Sequence, residues 1–221
     1  MVPSWQIERP IASAFTPRSS GYHRRMGFDA TAPTGTSAPS AVLFDRDGTL
    51  VRDVPYNGDP ALVEILPTVR EAVDLLRERD IPIGVVSNQS GVARGLISLD
   101  DVRAVNRRID DLIGPFDVWC VCPHGPGDGC ACRKPRPGLV LDACERLDVD
   151  PHDAVVIGDI AADLGAAESA GATGILVPTP VTLVPEVVAA ELVASTVLEA
   201  VELALADGAM GASTRRRRVT R

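Results

Sequence analysis

The chain has 221 residues, 45% of them hydrophobic, and a formal net charge of −8 at pH 7. That length suits one compact domain with its own core, and the acidic balance argues against a general nucleic-acid-binding surface. No apolar run approaches the length of a membrane span, and the start MVPSWQIERPIASAF has no long apolar segment of the secretory kind, so a cytoplasmic setting without a membrane partner is expected.

Residues 1–39 are rich in Pro, Ser, Thr, Gly and Ala and show no sustained period, so they are expected to form a disordered N-terminal extension, within which Met26 is a second potential start. The folded domain is expected over residues 40–207. AVLFD (41–45) reads as a short buried strand ending in a carboxylate. TVREAVDLLRERD (68–80) places Val69, Ala72, Val73 and Leu76 on one helical face. IPIGVVSN (81–88) is a second strand. SLDDVRAVNRRIDDLIG (98–114) opens with a capping box, Ser98 to Asp101, and puts Val102, Val105, Ile109 and Leu112 on one stripe. FDVWCVC (116–122) is a third strand. LVLDACERL (139–147) is a helix presenting Val140, Ala143, Cys144 and Leu147. AVVIGD (154–159) is a fourth strand, AADLGAAESAG (161–171) an Ala-rich helix, and TGILVP (173–178) a fifth strand. A last helix over about 196–206 carries Leu198, Val201 and Leu205. Residues 208–221, GAMGASTRRRRVTR, read as a flexible Arg-rich tail. Apolar strands alternating with amphipathic helices predict an α/β fold, a doubly wound and mainly parallel sheet covered on both faces. The stretch from Val51 to Val63 is too short for a large cap domain.

In such a sheet, chemistry collects beyond the carboxyl ends of the strands, near the point where strand order reverses. Those ends hold Asp45, Asp47 and Thr49, then Ser87, Asn88 and Gln89, then Arg133 and Lys134, then Asp159 and Asp163. Asp45 and Asp47 are two apart, so in extended chain both face one side. Carboxylates that close repel unless a cation lies between them, and Asp159 completes a hard-oxygen site suited to Mg2+. One aspartate can then attack phosphorus while the other moves the proton, with Ser87 and Lys134 supplying a donor and a cation. A lone Asp-x-Asp pair is usually a loop or a cap; four ordered strand-end signals argue for a site.

CVCPHGPGDGCACRKPRPG (120–138) contains Cys122-x-His124, five residues, then Cys130-x-Cys132. Side chains two apart on extended chain point the same way, so each pair can chelate one ion. Three thiolates and an imidazole form a closed tetrahedral set of the structural Zn2+ kind. Cys120 competes with Cys122 for the fourth place, a disulfide is possible under oxidising conditions, and Cys144 reads as core. The cluster leads straight into Arg133 and Lys134. Lys134 suits a phosphoryl clamp. Arg133 is either a contact to the rest of the substrate or a solvated surface arginine. Tyr56 and Asn57 line the entrance or form a turn. Asn88 and Gln89 bind substrate hydroxyls or brace their own loop.

Across residues 41–205 the motifs DRDGT, Ser87, Lys134 and GDIAAD resemble those of the haloacid-dehalogenase superfamily of phosphohydrolases. That resemblance implies a Rossmann-like core, with Asp45 as the nucleophile that becomes an aspartyl-phosphate and Asp47 as the general acid/base. It implies Mg2+ held by Asp45, the backbone carbonyl of Asp47, and Asp159, with Asp163 orienting the metal shell. DRDGTL, SNQSGVARG and the Cys/His segment are together similar to the subgroup of D-glycero-D-manno-heptose 1,7-bisphosphate 7-phosphatases and histidinol-phosphate phosphatases. Two features depart from the heptose enzymes: Ile160 replaces the lysine that follows the fourth-motif GD, and the link from His124 to Cys130 is shorter. The expectation is a monomeric phosphatase acting on a small phosphorylated metabolite of the heptose bisphosphate type. A histidinol-phosphate phosphatase is the enzymatic alternative, and a zinc-stabilised binding module the other.

Overall fold

The computed structural model describes residues 38–207. Residues 1–37 of the expected extension and the whole Arg-rich tail, 208–221, lie outside the described residues.

Five strands form one parallel sheet: β1 (Ala41–Phe44), β2 (Ile83–Asn88), β3 (Val118–Cys122), β4 (Ala154–Gly158) and β5 (Thr173–Leu176), in the order β3-β2-β1-β4-β5. Six α-helices accompany them: α1 (Val69–Arg77), α2 (Leu99–Ile113), α3 (Gly138–Leu147), α4 (Ala161–Ala170), α5 (Val184–Ala189) and α6 (Val197–Asp207). The chain runs outward from β1 through β2 to β3, then returns to the other side of β1 for β4 and β5. The reversal therefore falls between β1 and β4, and the loops leaving these two strands open on one crevice.

The strands are almost continuously apolar because both faces are covered. Val42, Phe44, Ile83, Val85, Val155, Ile157 and Ile175 pack on one side with α1, α2 and α6. Leu43, Val86, Val118, Cys120, Cys122, Ala154 and Val156 pack on the other with α3 and α4. The expected faces of α1 and α2 are buried at Val69, Ala72, Val73, Leu76, Val102, Val105 and Ile109, but Leu112 is only partly buried and Ile113 closes the stripe instead. Ser98 caps α2 reciprocally with Asp101, at 3.1 Å and 2.8 Å.

Two local readings are corrected. The buried face of α6 is Val197, Ala200, Val201 and Ala204, while Leu198 and Leu205 are only partly buried. Apolar residues fall on most sides of this helix, VLEAVELALAD, so periodicity marks its buried face weakly, and that face is built of alanines and valines. The short α5 was not foreseen: Val184 and Val188 remain 74% and 80% exposed, so no burial pattern marks it. Between β1 and α1 lie a 3-10 turn at Pro60–Leu62 and isolated bridges from Val51 to Asp47 (parallel) and to Ile65 (antiparallel), so no cap domain is present there.

Candidate active site

The crevice gathers buried carboxylates. Asp45 leaves β1 with its N–H still donating to Ile157 of β4 at 2.9 Å, which continues the ladder and fixes its direction. Asp159 leaves β4, and Asp163 follows in the first turn of α4, where it accepts from the Ile160 N–H at 3.3 Å. Oxygens of Asp45, Asp159 and Asp163 all lie within 4.8 Å of one another. Two glycines permit this crowding. A Cβ on Gly48, whose φ is +84°, would stand 2.3 Å from Asp159 Oδ2, and one on Gly158 would stand 2.3 Å from Asp163 Cβ.

Lys134 closes the group. Its Nζ donates to Asp45 Oδ1 and to the Val86 carbonyl, both at 2.6 Å, and makes an ion contact with Asp163 Oδ1 at 2.6 Å. Burial pulls its pKa down, but Asp163 and Asp45 more than offset that and hold the ammonium charged. One buried cation does not balance three buried carboxylates. Burial pushes Asp45 up to about 8, against the pull of Lys134 and with help from Asp163 and Asp47. Burial and then Asp163 push Asp159 up to about 7. Carboxylates held this far above their ordinary range favour either protons or a further cation. Hard oxygen donors with a divalent cation between Asp45 and Asp159 fit that need, while Asp163 is already engaged by Lys134.

Asp47 is set differently. Its carboxylate stands apart from the three and turns toward Arg46, whose Nε and Nη2 reach it at 3.1 Å and 2.9 Å. Gln89 Nε2 donates to the same Asp47 Oδ2 at 2.7 Å and to Ser87 Oγ at 2.8 Å. Ser87 is buried at the end of β2, beside Lys134's carbonyl partner.

The residues expected to face substrate divide. Asn88 does not offer its amide outward: Nδ2 donates to the Lys134 carbonyl at 3.2 Å, and Oδ1 accepts from the Lys134 N–H at 3.1 Å. Gln89 spends its Nε2 on Asp47 and Ser87. Both brace the site, because a buried amide at a strand end finds backbone and side-chain partners before solvent. Asn57 accepts from the Asp59 N–H at 2.8 Å and serves the turn. Tyr56 is 41% exposed, with Arg94 over its ring at 5.4 Å and donating to its hydroxyl at 2.6 Å. Arg133 is half-buried and donates to the His124 carbonyl at 3.3 Å. Sequence reading missed the buried Arg46 and its partner Asn106, and the pair Thr179 and Thr182 that flanks Asp159. An arginine in a polar loop carries no local sign of burial.

The cysteine cluster is assembled. Cys122 Sγ lies 3.2 Å from Cys132 Sγ, 3.7 Å from Cys130 Sγ and 3.5 Å from His124 Nδ1, which is 3.3 Å from Cys132 Sγ. A tetrahedral ion with Zn–S near 2.3 Å and Zn–N near 2.05 Å would have S–S edges of about 3.8 Å and S–N edges of about 3.6 Å, so these four atoms fit Zn2+ after slight expansion. Cys120 is not a ligand. Its thiol donates to the buried Asp142 carboxylate at 2.9 Å. Cys144 is core, as expected, and all five cysteines are free.

The parallel sheet thus brings two strand-end aspartates, Asp45 and Asp159, together with the buried Lys134 at its switch point, an arrangement suited to phosphoryl transfer. A model of HAD-hydrolase-like proteins matches residues 131–202. A D-glycero-beta-D-manno-heptose-1,7-bisphosphate 7-phosphatase of Bordetella bronchiseptica is 38% identical over 143 residues, spanning 62% of this chain and 80% of that protein. A D-glycero-alpha-D-manno-heptose-1,7-bisphosphate 7-phosphatase of Mycobacterium bovis is 38% identical over 138 residues, spanning 59% and 73%. The crystal structure of D,D-heptose 1,7-bisphosphate phosphatase from B. bronchiseptica, complexed with magnesium and phosphate, superposes with a TM-score of 0.66 at 32% identity, covering 76% of this chain and 99% of that one. The chain belongs to the haloacid-dehalogenase-like hydrolase family.

Proposed function

We propose that this protein is a Mg2+-dependent phosphatase that removes the 7-phosphate of D-glycero-D-manno-heptose 1,7-bisphosphate through an aspartyl-phosphate on Asp45. The observation that carries the reading is Asp45 itself, buried at the switch point, gripped by Lys134 at 2.6 Å and flanked by Asp159. The names of the relatives supply the substrate class.

Asp45 attacks phosphorus, the P–O bond to the sugar breaks, and Asp47 gives its proton to the leaving oxygen. Water then attacks the phosphorylated Asp45, and Asp47 takes up its proton, which returns both residues to their starting states. Lys134 and Ser87 hold the phosphoryl oxygens. Asp45, the Asp47 backbone carbonyl and Asp159 would hold Mg2+, which would neutralise charge on those oxygens when bound. Asp163, engaged by Lys134, keeps that lysine in line. Cys122, His124, Cys130 and Cys132 hold a structural Zn2+, and their loop presents Arg133 to the non-reacting part of the substrate. Tyr56 borders the entrance. The protein is read as a monomer, and reduced thiolates suit the cytoplasm.

The test is phosphate release, with and without Mg2+, from both anomers of the heptose bisphosphate and from histidinol phosphate. The expected result is Mg2+-dependent release from a heptose bisphosphate with the 1-phosphate left intact. Preference for histidinol phosphate would move the assignment to the other branch, and no release from any ester would leave a binding module.

A further inference from the structure

We infer that Arg46, anchored on Asn106 of α2, is a positioning residue for Asp47; the inference rests on the proposed acid/base role of Asp47. Arg46 is a charged side chain only 1% exposed. Its guanidinium faces two partners far apart in sequence. Nε and Nη2 donate to the Asp47 carboxylate at 2.9–3.1 Å, and Nη1 donates to Asn106 Oδ1 at 3.1 Å. A fork held at both ends fixes its plane, and the plane fixes the carboxylate it grips. Gln89 supplies the remaining constraint, from β2, at 2.7 Å.

Asn106 is an expensive residue for folding alone. It is 5% exposed, and its Nδ2 has no hydrogen-bond partner. A guanidinium only donates, so the Asn106 oxygen must face Arg46, and the amide N–H2 is left toward the core. An apolar side chain of similar size would avoid that unpaired group. What the asparagine alone provides is a neutral acceptor.

The consequence is specific to the leaving group. Breaking an alkyl phosphate ester needs a proton delivered to the departing oxygen, whereas 4-nitrophenolate departs without one. A misplaced Asp47 should therefore harm the first ester and largely spare the second when both are compared by kcat/KM, which reports the step that phosphorylates the enzyme. Loss of a merely structural contact would lower both alike.

The experiment compares wild type, Asn106→Leu and Arg46→Met on D-glycero-D-manno-heptose 1,7-bisphosphate and on 4-nitrophenyl phosphate, with melting curves for all three. Asn106→Leu keeps the branched outline of the side chain and removes the unpaired amide, but it also takes the acceptor from Arg46 Nη1, so it should fold with some loss of stability, which the melting curve reads. The expected result is a fall in kcat/KM of about tenfold to a hundredfold on the heptose ester, carried by kcat with KM nearly constant, and of at most about threefold on the nitrophenyl ester. Equal losses on the two esters in a folded Asn106→Leu protein, or no loss on either, would overturn the positioning role while leaving the phosphatase reading intact. A wild type that turns over neither ester would overturn the phosphatase reading and this inference with it.

Discussion

Removing the proposed zinc from the Cys122, His124, Cys130 and Cys132 cluster should separate substrate recognition from the hydrolytic step. Residues 123–131 join β3 to Cys132, and fixing about nine residues costs roughly 9–18 kcal/mol of backbone entropy. Six hydrogen bonds hold this segment and its flanks. Gly125 N–H donates to Asp128 Oδ2 at 2.8 Å, Asp128 N–H to Gly125 O at 3.3 Å and Arg133 to His124 O at 3.3 Å. Ala93 N–H donates to Pro123 O and Gly138 N–H to Ala131 O, both at 3.1 Å, and Arg136 donates to Cys130 O. At about 1 kcal/mol each they contribute about 6 kcal/mol. A structural zinc adds about 10–16 kcal/mol, which brings the loop to balance or beyond; without it the loop should open. Lys134 should stay, because Asn88, Val86, Asp45 and Asp163 hold it independently of the cluster. Arg133 depends on the His124 carbonyl and should be released. Losing one charged hydrogen bond to substrate is worth about 1.5–3 kcal/mol, roughly a tenfold to hundredfold change. Cys130→Ser should therefore be zinc-poor, exchange amide hydrogens rapidly over 123–131, and lose that much kcat/KM on the heptose bisphosphate, mainly through KM. Turnover of 4-nitrophenyl phosphate should stay within about threefold. Metal analysis, hydrogen-exchange mass spectrometry and kinetics on one preparation decide it. A zinc-free variant with unchanged kcat/KM on the bisphosphate, or one equally crippled on both esters, would refute the reasoning.

Two further outcomes follow from the carboxylates. In protein free of Mg2+ but retaining zinc, Asp45 and Asp159 titrate near 8 and 7 rather than near 3.8. Raised folded values mean that stability is fully present below the unfolded pKa near 4 and is lost as pH rises through 7–8. The Mg2+-free protein should melt lower at pH 9 than at pH 6, and the gain in Tm on adding Mg2+ should be larger at pH 9; a gain that shrinks with rising pH would contradict the site. Gly48→Ala should raise the Mg2+ concentration needed for half-maximal activity by about tenfold or more, since its Cβ would meet Asp159 Oδ2 at 2.3 Å in a backbone at φ +84°. A magnesium titration with an unchanged midpoint would contradict that.

The sheet and the grouping of carboxylates at its switch point were legible because their signals are local. Short apolar runs ending in Asp45, Ser87 and Asp159 announce parallel strands and their carboxyl ends, and the alternate spacing of Cys122, His124, Cys130 and Cys132 announces chelation. The rest depends on contacts that no window of sequence contains. Asn88 reads as a free amide until the Lys134 backbone arrives from 46 positions away. Arg46 carries no local sign of burial, because its partner Asn106 arrives from 60 positions away. Cys120 and Cys122 differ only in which neighbour each meets: Asp142 of α3 takes the first thiol, and the Cys/His loop takes the second.

The central claim is that Asp45 is the nucleophile of a phosphatase, and phosphate release by Asp45→Asn tests it most directly. The substitution is nearly isosteric and removes one buried charge beside Lys134, so the variant should fold and bind substrate. Measured with Mg2+ and D-glycero-D-manno-heptose 1,7-bisphosphate, its release of phosphate should be indistinguishable from the buffer blank while the wild type turns over. A pure, folded Asp45→Asn protein that releases phosphate at a rate near the wild type's would contradict the account.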